Sequence, residues 1–334
     1  MKIAILGAGA MGSLFGGVLA EAGAQVTLLD VNQQHLDTIR RDGLRLETDD
    51  HARRIFNLAA CRPEECREVP ELLMIFTKTH QIAGALDSAR HLLGAATWVL
   101  TLQNGLGNVE AISAFVPRER VLVGVTTIPA DFLGPAHVAS HGDGAIRMGH
   151  ADNSAHSAEH PSSDCCMLCQ VVALFTRAGL RTSADPNVWA AIWEKAAFNA
   201  AFNALCAVTG CTVEQLQLVP GGPVILHDVI AEAIAVAHAC GVPADLERTQ
   251  AMAVRSFKTH AGHQPSMLQD ILAGRRTEID SINGAIVRAA HERGVPVPTT
   301  EMLATLVSLI DARQAGAPSS PAAQGRHETL AVSR

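Results

Sequence analysis

The chain has 334 residues, 48% of them hydrophobic, which is enough for two cores and excludes a disordered or fibrous protein. A formal net charge of −7, with lysines and arginines scattered, leaves no cationic footprint for a polyanion, so nucleic acid is not an expected partner. No apolar run is long enough to span a bilayer without a charge or a breaker, and none resembles a signal-peptide core, so no membrane is expected and the cytoplasm is the expected compartment.

In chain order, residues 2–6 read as a buried strand, 10–22 as a helix rich in small residues and 25–30 as a second strand. The alternation continues with a helix near 33–42, a strand at 72–77, a helix near 81–93, a strand at 97–101, a helix after Gly107 and a strand at 120–126. Strands alternating with helices predict an α/β domain with a doubly wound, mostly parallel sheet. Residues 136–140 and 145–149 flank His141-Gly142-Asp143-Gly144, a turn signal that predicts a hairpin extending the sheet antiparallel at its edge. Residues 150–163 are small, polar and aperiodic, as in a surface loop, and from about 164 onward the pattern is helical. Asp185-Pro186, with Asp185 capping a long helix, divides the chain into an expected Rossmann domain at 1–185 and an all-α domain at 186–312, with a frayed tail at 313–334.

Gly7-Ala8-Gly9-Ala10-Met11-Gly12 follows the first strand directly and opens the first helix. In that position Gly7 permits the tight turn, Gly9 lets backbone N–H groups approach a pyrophosphate, and Gly12 lets helix and sheet pack closely. Asp30 closes the second strand about 20 residues on, where a carboxylate accepts hydrogen bonds from the adenosine ribose and repels a 2′-phosphate. Val31, Asn32, Gln33 and Gln34 add no local cation, so NAD(H) is favoured over NADP(H). Lys78 and Asn104 stand at the carboxyl ends of the third and fourth predicted strands, where ligands bind in such sheets, although a solvated lysine and a plain Asn-Gly turn fit the same residues.

In the second half, Lys195, Asn199 and Asn203 fall at i, i+4 and i+8 on an otherwise apolar helix, either lining a cleft with a polar ligand or forming an exposed stripe. A further polar cluster joins Ser266-Met267-Leu268-Gln269-Asp270 to Arg275-Arg276-Thr277-Glu278-Ile279-Asp280, with a helix expected from Thr277 to about Arg293 and Glu278 in its first turn. His137, His141, His150, His156 and His160, with Cys165, Cys166 and Cys169, match no tetrahedral ligand spacing, so no metal is expected and the eight cysteines read as free thiols. The apolar helices of the second domain leave room for a homodimer.

Taken together, the glycine loop, Thr77-Lys78-Thr79-His80-Gln81, Gln103-Asn104-Gly105-Leu106-Gly107, Gly124-Val125-Thr126-Thr127, the Lys195 helix, and Ser266–Asp270 with Thr277–Asp280 resemble the ketopantoate reductase (2-dehydropantoate 2-reductase) family over about residues 1–310. The resemblance implies that Lys195 and Glu278 are catalytic, that Asn104, Asn199, Asn203 and Ser266 bind substrate, and that Lys78, Asn104, Ala130 and Glu278 contact the cofactor. It implies NAD(P)H-dependent reduction of a 2-oxo acid to a 2-hydroxy acid, most simply ketopantoate to pantoate, and it keeps NADP(H) open. Two departures stand out. Asp30-Val31 replaces the arginine often found there in members that use NADP, and Val213 and His263 replace family asparagines. They leave an NAD-dependent (R)-2-hydroxy-acid dehydrogenase of the mandelate type as an alternative on the same scaffold. An NAD-sensing binding protein is the alternative outside enzymes.

Overall fold

The computed structural model describes residues 1–152, 166–259 and 262–316. Strand β1 (Lys2–Leu6), helix α1 (Ala10–Glu21) and strand β2 (Gln25–Leu29) form the opening unit, followed by α2 (Gln33–Asp42) and three short strands, β3 (Leu44–Thr48), β4 (Ala52–Ile55) and β5 (Leu58–Cys61). Next come β6 (Leu72–Ile75), α3 (Ile82–Ser88), β7 (Trp98–Thr101), α4 (Asn108–Ser113) and β8 (Val121–Thr126). Then β9 (Asp131–Gly134), β10 (His137–Ser140), β11 (Ile146–His150), α5 (Met167–Arg177) and β12 (Thr182–Ala184) complete the first half.

Eight strands form one sheet in the order β12-β11-β8-β7-β6-β1-β2-β5. The six from β5 to β8 are parallel and, numbered along the chain, run 3-2-1-4-5-6, with the order reversing between β1 and β6. Ile3, Ile5, Leu28, Leu72, Met74 and Leu100 pack one face against α1 and α5; Leu6, Leu29, Leu73, Ile75, Val99 and Val121 pack the other against α3 and α4. Burial on both faces explains why these strands read as continuous apolar runs.

The second half is helical: α6 (Val188–Thr209), α7 (Gly221–Ala239), α8 (Leu246–Thr259), α9 (Ser266–Leu272), α10 (Asn283–Arg293) and α11 (Pro298–Gly316). Helix α6 is its axis, apolar nearly all round because α7, α8, α9 and α11 surround it and β8 meets its flank. Helix α7 is long and apolar enough to cross a membrane by length and composition, and here Val229, Ile230, Ala233, Ile234 and Ala237 are buried in the helical core.

Three expectations need correction. The segments at 136–140 and 145–149 are not a hairpin: β11 does pair antiparallel with β8, whereas β10 joins a second sheet, β4-β3-β10-β9, running parallel to β3. The turn between them crosses from one sheet to the other, held by the Asp49 carboxylate, which accepts from the Gly142 N–H at 2.6 Å. Ile128 fills the space beside Gly144, where a Cβ would fall 2.4 Å from the Ile128 Cα. The segment from Thr277 to Ile282 is a succession of turns rather than the start of a helix, so Glu278 is not a first-turn residue and helix-dipole stabilisation does not explain it. Finally, 313–316, expected in the tail, continue α11, while 317–334 and most of the loop at 150–163 lie outside the described residues.

Candidate active site

Where the strand order reverses, Gly7 leaves β1 with φ of +98°, and a Cβ there would sit 2.7 Å from the Thr77 nitrogen and 2.9 Å from the Phe76 carbonyl carbon. At Gly12 a Cβ would fall 1.9 Å from the Gly7 oxygen, so the first turn of α1 rests directly on the loop. Gly9 differs: nothing lies within 4 Å of its Cβ position. Helix α1 has neither an acidic residue in its first turn nor a side-chain cap, so its N-terminal amides remain available to an anion. This open glycine above a helix N-terminus fits the diphosphate of a dinucleotide. The Asp30 carboxylate stands beside it, accepting from the Ala8 N–H at 2.7 Å and the Asn32 N–H at 2.9 Å. A cation absent from the local sequence also reaches the end of β2: Arg62 donates to the Val31 carbonyl at 3.3 Å.

From Gly9, Ala10 and Met11 a cavity of about 350 Å³ extends between the sheet and the helical half. Lys78, Asn104 and Thr126 enter it from the ends of β6, β7 and β8. Opposite them are Lys195 from α6, Ser266 and Asp270 from α9, and Arg275 and Glu278 from the segment after it. The Lys195 ammonium donates to the Thr126 carbonyl at 2.6 Å, and burial brings its pKa down to about 8, against the pull of the Glu278 carboxylate. Burial likewise raises the Glu278 pKa, opposed by Lys78, by the Thr79 N–H donating at 3.4 Å and by Lys195. No ion pair joins Lys195 to Glu278 among the described residues. Each therefore keeps hydrogen-bonding capacity for a ligand.

Two residues to which sequence reasoning assigned no role shape this cavity. Asp270, buried, pairs with Lys78 across the two halves and accepts from the Arg275 Nε at 2.9 Å. Its signal was present in the sequence as a carboxylate four residues after Ser266 on a mostly apolar helix. Gln103 ties the strand ends together, accepting from the Thr101 hydroxyl at 2.8 Å and donating to the Thr77 carbonyl. The halves also meet where the Leu106 N–H donates to the Ser281 carbonyl at 2.8 Å; a Cβ on Gly105 would lie 2.4 Å from that oxygen.

The remaining expected site residues are placed differently. Asn199, Asn203 and Ala130 do not line the cavity; Ala130 packs on the core under α1. Asn203 is buried on α6. Val213 and His263, distant in sequence, meet: the Val213 N–H donates to the His263 carbonyl at 3.1 Å. Of the histidines and cysteines weighed as metal ligands, His156, His160 and Cys165 lie outside the described residues. Among the described residues no three such side chains converge.

Comparison with known proteins agrees with this architecture. The ketopantoate reductase PanE/ApbA family model matches residues 3–153, and the model of that family's C-terminal region matches 187–311. A 2-dehydropantoate 2-reductase of Streptococcus pyogenes is 32% identical over 308 residues, 92% of this chain and 97% of that protein. A PanE/ApbA family ketopantoate reductase from Ralstonia eutropha JMP134 superposes with a TM-score of 0.84 at 32% identity, covering 94% of this chain and 100% of the other. D-mandelate dehydrogenase, in a ternary structure with NADH and anilino(oxo)acetate, superposes with a TM-score of 0.86 at 30% identity over the same shares. With both family models matched in order along one continuous architecture, the chain belongs to the ketopantoate reductase PanE/ApbA family.

Proposed function

We propose that this protein reduces a 2-oxo acid to the 2-hydroxy acid with a nicotinamide dinucleotide, and that 2-dehydropantoate is its substrate. The observation that carries this reading is one half-buried lysine, with a pKa lowered to about 8, facing a cavity that begins at an open glycine loop. The dinucleotide, when bound, supplies a hydride to the carbonyl carbon. Lys195 stabilises the negative charge that develops on the carbonyl oxygen and delivers a proton to it, while the Thr126 carbonyl holds one of its N–H bonds and so aims the others. Ser266 and Asn104 offer neutral donors to the substrate carboxylate without quenching the lysine charge. Glu278, its pKa raised, orients a substrate hydroxyl or the cofactor. Lys78 and the amides of the glycine loop hold the dinucleotide. Asn199 and Asn203 are assigned to substrate on the family resemblance alone.

Steady-state reduction of 2-dehydropantoate by the purified protein tests the reading, with kcat/KM above about 10⁴ M⁻¹s⁻¹ expected. Activity confined to the 2-oxo acid of mandelate would favour the second reading, which rests on Asp30, on Val213 standing where the family pattern has an amide, and on the likeness to D-mandelate dehydrogenase.

The sign of the pH dependence follows from Lys195. Carbonyl reduction requires the ammonium, so kcat/KM should be level below its pKa and fall as pH rises through about 8. Oxidation of the 2-hydroxy acid requires the neutral amine and should rise across the same range. Parallel profiles in both directions would remove Lys195 as the proton donor.

We further propose a preference for NADH. The Asp30 carboxylate at the end of β2 disfavours a 2′-phosphate, and the Arg62 guanidinium nearby limits that penalty without removing it. Run side by side, NADH should exceed NADPH in kcat/KM by about tenfold, roughly one unfavourable charge contact; the reverse order would overturn the role given to Asp30.

A further inference from the structure

Beneath the glycine loop lies a buried polar chain that takes no part in the reaction. His35 of α2 and Ser13 of α1 are almost wholly buried, at 1% and 0% exposure, in surroundings that are otherwise apolar. The Ala136 N–H donates to the His35 Nδ1 at 2.9 Å. Because Nδ1 accepts and burial keeps the ring neutral, the ring proton resides on Nε2, which faces the Ser13 hydroxyl at 3.3 Å. Ser13 accepts there, and its own proton goes to the Ala8 carbonyl at 2.7 Å. The Ala8 carbonyl, where the chain ends, also acts on the His35 ring directly.

The far end of this chain is itself constrained. Ala136 is the only non-glycine among the described residues with positive φ, at +55°. Its carbonyl accepts from the Arg45 N–H at 2.8 Å, so the turn between β9 and β10 is braced on both sides. A left-handed alanine costs conformational energy that its surroundings must offset. The near end is the dinucleotide loop. Ala8 is pinned at both ends, its N–H to Asp30 and its C=O to Ser13. In a trans peptide the C=O and the following N–H point in opposite directions, so drawing the Ala8 carbonyl inward turns the Gly9 N–H outward. Outward is the open side, where Gly9 lines the cavity.

We infer that His35 and Ser13 are positioning residues for the dinucleotide: through a relay from Ala136 of the second sheet they hold the Ala8–Gly9 peptide so that the Gly9 N–H meets the diphosphate. The inference rests on the dinucleotide reading above. It also gives the second sheet a task, to hold one end of the device that orients the loop of the first.

The test compares wild type, Ser13→Ala, His35→Ala and His35→Gln by NADH fluorescence titration, by kcat at saturating NADH and 2-oxo acid, and by thermal melting. Ser13→Ala and His35→Ala should raise the NADH Kd about tenfold while kcat at saturation stays within about twofold, because the loss is one of loop order and not of reacting groups. His35→Gln should restore binding, since an amide can accept from Ala136 and donate to Ser13. A folded Ser13→Ala protein with wild-type Kd would overturn the inference, as would a kcat loss with unchanged Kd. Long-range ¹H–¹⁵N spectra of the wild type provide a readout independent of any variant's folding: Nε2 protonated and Nδ1 bare is expected, and the opposite tautomer breaks the relay. Wild type that binds no NADH refutes the dinucleotide reading and the inference with it, whereas equal binding by wild type and variants refutes the inference alone.

Discussion

Lys195→Ala is expected to lower kcat by about 10³-fold or more, since it removes both the proton donor and the charge that stabilises the forming alkoxide. The fold should not suffer. Burial penalises the Lys195 ammonium, as its lowered pKa records, and near neutral pH that penalty falls on the native state alone. Removing the charge relieves it, so the melting temperature should hold or rise while turnover collapses. The Thr126 carbonyl, left without its 2.6 Å partner, stays beside a cavity that water can enter. NADH titration of the variant separates the outcomes: intact binding with lost turnover places Lys195 at the reacting carbonyl. Turnover within tenfold of wild type would refute the assignment and shift attention to Lys78 and Glu278.

The second large effect concerns two glycines three residues apart that should fail in different ways. Gly12→Ala would put a methyl 1.9 Å from the Gly7 oxygen, a backbone atom with no rotamer to escape into. The loop or the helix start must move, at a cost of about 3 kcal/mol or more, with lower Tm and dinucleotide affinity reduced by about a hundredfold. Gly9→Ala meets no protein atom within 4 Å, and its φ of −67° suits any residue. That protein should melt like wild type yet bind NADH about tenfold or more weakly, because the added methyl occupies space meant for the ligand. Thermal melts paired with NADH titrations distinguish the two. If Gly9→Ala bound NADH normally, the diphosphate would have to lie elsewhere.

Features carried by adjacent residues were legible in the sequence. The glycine loop, Asp30 at the end of β2 and the spacing of Lys195, Asn199 and Asn203 along α6 depend only on one turn, one strand end or one helical repeat. The short strands β3, β4 and β5 were missed because pieces of four or five residues, two of them carrying arginines, hold too little periodicity to register. The hairpin at 136–149 was misread for a related reason: a turn signal reports that the chain reverses, not which strand each arm will pair with, and β3 and β8 competed successfully for the two arms.

By itself the sequence determined an α/β dinucleotide fold with a helical second half, the glycine loop that opens the first helix, and the lysine set on an apolar helix. Only the tertiary structure decided what those groups can do. Lys195 is acidified because the fold closes around its ammonium and desolvates it, while β8 brings the Thr126 carbonyl, 69 positions away, to accept from it. Asp270 belongs to the cavity because Lys78 reaches it across 192 positions. Arg62 stands near Asp30 because β5 lies beside β2. The Ala136 N–H reaches His35 across 101 positions because both sheets pack on α1. The physical reason is common to all four: local conformation follows from steric limits and periodicity within a few residues, whereas desolvation and charge depend on whichever atoms the fold brings within a few ångströms.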